Sequence, residues 1–227
     1  MTGTIVNTLA ILAGSIVGLF LTKGIKKSYQ ESLMNILGLI VIVMGIENAI
    51  GSNDMLLIIT SLVLGTLIGE MIGIEDKLDK LGMFLQSKFG KNDSNISTAF
   101  VSTSLIYCVG ALAILGALES GITGTHDTLY TKSILDGISS IIFASTLGIG
   151  VVFSAFSVLI YQGSITLLAV YLAPLFTPVL ISQISAIGGI MIIAIGINVL
   201  EIKRFKVGNM LPAILIPIIY FIITNIL

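Results

Sequence analysis

The stretch LDGISSIIFASTLGIGVVFSA, residues 135–155, sets one carboxylate and five hydroxyls into an otherwise apolar segment. At about 100° per residue on a helix, Asp136, Ser139, Ser140, Thr146, Gly150, Ser154 and Ser157 fall within roughly half of the circumference. Phe143 and Leu147 interrupt that half and Ser145 lies opposite it, so the polar stripe is incomplete. A second hydroxyl cluster, Ser102, Thr103, Ser104 and Tyr107, lies in STAFVSTSLIYCVGALAILGALESG, with Gly110 and Gly116 beyond it. Oxygen-rich surroundings of this kind suit hard cations, protons, or a small neutral or zwitterionic solute. Asp136 is the candidate ligand for a cation or proton, and Ser102, Ser104, Ser140, Thr146 and Ser154 offer hydroxyl oxygens. A break between Gly148 and Gly150 would add main-chain carbonyls.

A carboxylate at the centre of a bilayer costs about 2.5–3.5 kcal/mol on insertion scales, so an intramembrane Asp is expected to face water, a cation or a partner. Asp136 also stands four residues after Lys132, and the competing reading makes it a helix-start carboxylate in the headgroup region. Glu47 with Asn48, Glu70 in GTLIGEMIG, and Asn198 are further polar residues near the ends of apolar runs. They read first as interface markers, with Glu47 and Asn198 as secondary pathway candidates. No HExxH, Walker loop, CxxC pair or nucleophile-base-acid set occurs, and the single histidine, His126, falls in an expected outer loop. No cofactor is expected, and an enzyme is the weakest of the functional readings.

Composition sets the frame for these residues. The 227 residues are 56% hydrophobic and 10% charged, with a mean hydropathy of +1.10, where a soluble domain carries about a quarter charged residues. The apolar residues come in runs, which is the pattern of a membrane protein and argues against a nucleic-acid binder. The net charge of -1 leaves no polybasic patch for anionic partners. Cys108, the only cysteine, excludes an internal disulfide and a cysteine-rich metal site.

With about 20 apolar residues needed per crossing, eight spans are expected, near 3–22, 32–50, 55–74, 97–118, 133–160, 164–180, 184–200 and 208–227. Pro174 and Pro178 interrupt the join between the sixth and seventh. The Lys-rich connections KGIKKSYQE, EDKLDKLGMFLQSKFGKND and EIKRFK follow spans one, three and seven. The positive-inside rule puts all three in the cytoplasm, which places both termini outside. Ile74, Leu78, Leu81, Leu85 and Phe89 recur at helical spacing among charges and predict an amphipathic helix on the inner surface.

An internal repeat gives the chain its expected organisation. LGLIVIVMGIENAI and GGIMIIAIGINVLE share the spacing of Gly38 to Gly45 and Gly189 to Gly196. Downstream, NDMLLIITSLVLG parallels GNMLPAILIPIIY, and upstream GTIVNTLAIL more faintly parallels GSITLLAVYL. An offset of five spans makes this an inverted-topology repeat of the kind that builds secondary transporters. The single membrane domain, 1–227, then divides into a first half (1–75), an amphipathic connector (76–92), central polar helices (95–160) and a second half (163–227). The four-residue glycine spacings in GSIVG and GTLIGEMIG allow close helix packing, with a homodimer face as the sharper alternative.

The blocks STAFVSTSLIYCVGALAILGALESG, KSILDGISSIIFASTLGIGVVFSA, YQGSITLLA and KVGNMLPA resemble those of the YdfK/YqgA-type bacterial membrane proteins, the family of domain of unknown function 554. The resemblance covers essentially the whole chain and implies a multi-pass protein of the bacterial inner membrane. It implies no activity. The leading expectation is a small secondary transporter or ion pathway for a cation or small polar solute. The competing expectation is a membrane scaffold or sensor acting through helix packing and the amphipathic helix.

Overall fold

The computed structural model describes residues 1–22, 27–52, 54–89, 96–108 and 111–225, and among these it is helical, with no strand. The elements run α1 (Thr2–Thr22), α2 (Lys27–Ala49), α3 (Met55–Ile72), α4 (Ile74–Phe89), α5 (Ile96–Cys108) and α6 (Ala111–Ile122). They continue as α7 (Asp127–Leu147), α8 (Gly150–Leu167), the single turn α9 (Ala169–Leu172) and α10 (Pro178–Val199). The last segment joins α11 (Val207–Met210), a 3-10 turn (Leu211–Ile214) and α12 (Leu215–Asn225). Lys23, Lys26, Gly110 and the end of the expected connector at 90–92 lie outside the described residues.

Local chemistry accounts for several boundaries. Asp54 caps α3 by accepting from the Leu57 N–H at 3.2 Å, and Gly73, at φ 66°, ends it by donating back to Gly69 and Glu70 carbonyls. Thr177 caps α10 in the same way, with Pro178 at the first helical position, where its missing N–H costs nothing. Among the described residues, five segments are long and apolar enough to cross a bilayer: Thr2–Leu21, Met55–Ile72, Gly150–Leu167, Pro178–Val199 and Val207–Thr224. The α5/α6 pair, bent by 59°, gives a sixth when taken as one span. Two expected spans fall short on this criterion: α2 is apolar only over Gly38–Ala49, and α7 carries Asp127, Lys132 and Asp136.

The expected fifth and sixth spans need correction. Residues 133–160 are not one crossing, because Gly148 adopts φ 80° and ψ −158°, a region essentially reserved for glycine, and ends α7. The chain reverses there into α8, and the expected span at 164–180 is instead the end of α8, α9 and the start of α10. The upstream repeat match fares likewise: GSITLLAVYL covers the end of α8 and α9, while GTIVNTLAIL lies in the first half of α1.

Glycine-mediated contacts set the helix directions. Gly3 meets His126 and Leu129, Gly14 meets the carbonyl of Gly137 and Gly18 that of Ile141, so α1 and α7 run parallel. Thr4 contacts Thr166 and Asn7 contacts Gln162, so α8 runs antiparallel to α1. Gly38 faces Gly196 and Gly45 faces Gly189, making α2 and α10 antiparallel, and Gly65 on Ala213 with Gly69 on Asn209 does the same for α3 and the segment formed by α11 and the 3-10 turn. Gly150 lies on Ile96 and Ala99 while Ser104 bonds Ser157, so α5 is parallel to α8. The glycines of GSIVG and of GTLIGEMIG, Gly73 apart, are thus used inside the chain, and α10, with 78% of its apolar window buried, is the central helix.

The Gly148 conformation supports a direct test. Gly148→Ala is expected to lower stability by about 1–3 kcal/mol, read as a reduced thermal midpoint of the purified protein in detergent. An unchanged midpoint would show that the α7–α8 turn does not need the glycine conformation.

Candidate functional site

Asp136 lies nine residues into α7, about 13 Å from its first residue at 1.5 Å per residue, and is buried at 6% exposure. Its partner is Lys132, one turn earlier on the same face and buried at 7%. The ammonium Nζ donates to Asp136 Oδ1 at 2.9 Å and to Oδ2 at 2.7 Å. The pair neutralises two charges that could not be buried singly.

Two other helices complete the cluster. Asn7 of α1 donates through Nδ2 to Asp136 Oδ2 at 3.0 Å and to Gln162 Oε1 of α8 at 3.2 Å. Asn7 and Gln162 are both fully buried. Next to them, Thr4 and Thr166 share a hydroxyl hydrogen bond at 3.3 Å. Toward the other end of α7, Ser140 donates to the Asp136 carbonyl at 2.6 Å, which leaves Tyr107 of α5 as donor to the Ser140 hydroxyl at 2.8 Å. The network thus spans α1, α5, α7 and α8. Asn7 Oδ1 and Gln162 Nε2 are buried without a hydrogen-bond partner, one an acceptor and the other a donor. Leaving each unpaired costs about 1–3 kcal/mol.

The other expected site residues are dispersed. Thr146 donates to the Ile142 and Phe143 carbonyls and Ser154 to that of Val151, so both hydroxyls are occupied by their own helices. Gly148 makes the chain reversal and Gly150 opens α8 against Ile96, so the glycines close a turn instead of baring carbonyls to a ligand. Ser104 bonds Ser157 at 2.9 Å. Glu47 lies on the exposed side of α2, whereas Asn198 grips both the N–H and the carbonyl of Phe205, at 2.7 and 2.9 Å, and so holds the 200–206 loop. Glu47 and Asn198 do not meet.

Ser102 and Asn198 do come together at the charged end of the bundle. A crevice of about 340 Å³ there is lined by Glu75, Thr98, Asn198, Glu201, Lys203, Arg204 and Phe205. A water-sized cavity of about 20 Å³ beside it reaches Ser97 and Ser102. Lys206 pairs with Glu70 at 2.7 Å, Asn209 donates to Glu70 and accepts from the Glu75 N–H at 2.7 Å, and Glu75 accepts from the Gly208 N–H at 2.7 Å. The amphipathic helix α4 is tied into this network, because Ser97 donates to the Leu78 carbonyl and to Asp79. The side chains of Leu81, Leu85 and Phe89 lie outside the described residues. No three His, Cys, Asp or Glu side chains converge to hold a metal among the described residues.

Asn7, Gln162 and Thr166 are the site residues that sequence reasoning missed. The available signal was a single amide in each of two apolar runs, TIVNTLAIL and LIYQGSI, and a Lys–Asp pair at i, i+4.

Two predictions follow from these environments. Lys132→Met and Asp136→Leu singly should each destabilise by about 3–5 kcal/mol by stranding a charge, while the double variant should recover most of that loss. Thermal unfolding of the four proteins in detergent measures the coupling, and additive losses would contradict it. Burial holds the Glu75 carboxyl above its usual range, against the opposing Gly208 N–H. Its ionisation therefore costs stability once pH rises through that raised value, and the cost is absent below the ordinary carboxylate pKa. Glu75→Gln, which keeps the acceptor oxygen, should leave the thermal midpoint at pH 7 unchanged or higher; a fall would show that the charge itself is needed.

Comparison with known proteins agrees with the membrane character of these helices. The chain is 41% identical to the uncharacterized membrane protein YdfK of Bacillus subtilis (strain 168), across 98% of this chain and 97% of the relative. It is 30% identical to the uncharacterized protein YqgA of Escherichia coli (strain K12), across 94% and 93%. No solved structure matches. The family described as "Protein of unknown function (DUF554)" matches residues 2–222, and the chain belongs to that family.

Proposed function

We propose that this protein is a small secondary transporter or ion pathway for a cation or small polar solute, non-enzymatic, with the Asn7–Lys132–Asp136–Gln162 cluster at its centre. The observation that carries this reading is the pair of unpartnered amide groups beside a buried ion pair, on three different helices. A cluster serving only to pack helices would be expected to satisfy its own hydrogen bonds. Polar and ionisable groups at membrane depth, facing the bundle interior, are the usual mark of a substrate or ion route.

The helix directions support eight alternating crossings, with α2 and α7 counted as two and α5/α6 as one. Alternation makes α1 and α7 parallel, α5/α6 and α8 parallel, and the pairs α1/α8, α2/α10 and α3/α12 antiparallel, which agrees with the glycine and hydroxyl contacts. An inverted repeat is supported in its α2/α10 and α3/α12 parts. Aligning Gly38 with Gly189 and Gly45 with Gly196 exchanges the Gly45–Gly189 contact with the Gly196–Gly38 contact, as a pseudo-twofold axis requires. Lys203, Arg204 and Lys206 gather at one end of the bundle, which the positive-inside rule makes cytoplasmic and which puts both termini outside.

The scaffold or sensor reading draws on α4, which ties the charged end together through Ser97 and Asp79. Accessibility separates the two. All three of Ser140, Thr166 and Ala186 are buried in this structure; in a Cys108→Ala background, opening of a pathway is expected to make cysteines at Ser140 and Thr166 react with a membrane-impermeant thiol reagent, while a cysteine at Ala186 on α10 stays inert. Equal inertness at all three positions would favour the scaffold.

A further inference from the structure

The Lys132–Asp136 pair restricts what the cluster can take. Both carboxylate oxygens of Asp136 are engaged by Lys132, and Oδ2 also by Asn7. Helices α1, α5 and α8, which border the cluster, contain no Asp, Glu, Lys, Arg or His, so no neighbouring charge on them compensates a change in the pair. Glu119 of α6 accepts from Thr125 at the loop end, and Tyr107 of α5 is bonded to Ser140. A lone cation drawn to Asp136 would strand the Lys132 ammonium, and a lone anion drawn to Lys132 would strand the carboxylate.

We propose that the solute taken by this site is a small zwitterion, with its carboxylate on Lys132 and its ammonium on Asp136. Such a solute replaces one ion pair with two and leaves the net charge of the buried region at zero. The unpartnered groups have the matching polarity. Gln162 Nε2 is a donor for a carboxylate oxygen, and Asn7 Oδ1 is an acceptor for an ammonium N–H. Asn7 touches both Asp136 and Gln162, so donor and acceptor stand within one side chain of each other. The inference rests on the transport reading above and narrows it.

The test uses the full chain in proteoliposomes, with labelled glycine and L-serine as zwitterion probes and labelled sodium and chloride as ion probes. Saturable uptake of glycine or serine is expected, abolished by Asp136→Asn and by Lys132→Met. Gln162→Leu should raise the half-saturation concentration about tenfold, the loss of one hydrogen bond to a charged group. If the charge variants do not fold, Gln162→Leu and Asn7→Leu carry the comparison. Sodium uptake without amino-acid uptake overturns the zwitterion inference and leaves the transport reading standing. No uptake of any probe, with reactive cysteines at positions 140 and 166, also overturns it. No uptake together with inert cysteines overturns both readings.

Discussion

The cluster is organised by the requirement that two opposite charges buried in one helix stay paired. Lys132 and Asp136 sit one turn apart on α7, and neither charge could be buried alone. The pair dictates its surroundings: Asn7 supplies a further donor to the carboxylate, which requires α1 to lie close along α7. Gly14 and Gly18 allow that approach, because a side chain at either position would meet the α7 backbone or Ala144. The same Asn7 reaches Gln162, so the α7–α8 reversal at Gly148 is what brings the third helix into the cluster.

The other half of the molecule follows a different rule. Helices α2 and α10 meet through glycine against glycine, with main-chain carbonyls of one helix opposite the bare Cα atoms of the other. Nothing charged is needed in that contact, and α10 is accordingly the most buried and among the most apolar of the helices. Charges gather at one end, where Glu70, Glu75 and Lys206, with Asn209, fasten α3 and α4 to α11, while at the other end of α3 Asp54 accepts from Gln183 of α10. The protein thus combines a dry packing unit with a polar cluster between α1, α7 and α8. The cluster, with its unpartnered amide groups, is the site proposed to meet a solute.

Much of the helical plan was legible in the sequence. Spans one, three, seven and eight were legible as continuous apolar runs, although span seven, expected from 184, begins at Pro178 behind the Thr177 cap. The α7–α8 reversal was not legible, because its turn is two residues, Gly148 and Ile149, inside apolar sequence with no charged or proline-rich break. A glycine pair there reads equally as a helix interruption or as a turn. Asp136 and Ser140 were legible as site residues by type. Asn7 and Gln162 were not, since each is an isolated amide whose meaning comes only from a partner 155 positions away. The hydroxyls of Thr146 and Ser154 misled for a related reason: a serine or threonine in an apolar helix can satisfy itself on its own backbone.

If the buried pair is kept for handling a solute and not for stability, its two properties should come apart in one variant. The most direct measurement is uptake of labelled sodium, glycine and serine by proteoliposomes holding the Lys132→Met/Asp136→Leu double variant, beside the wild-type protein. The account predicts a folded double variant with no uptake and a wild-type protein that takes up at least one probe. Equal uptake by the two proteins would contradict it and reduce the pair to a structural element.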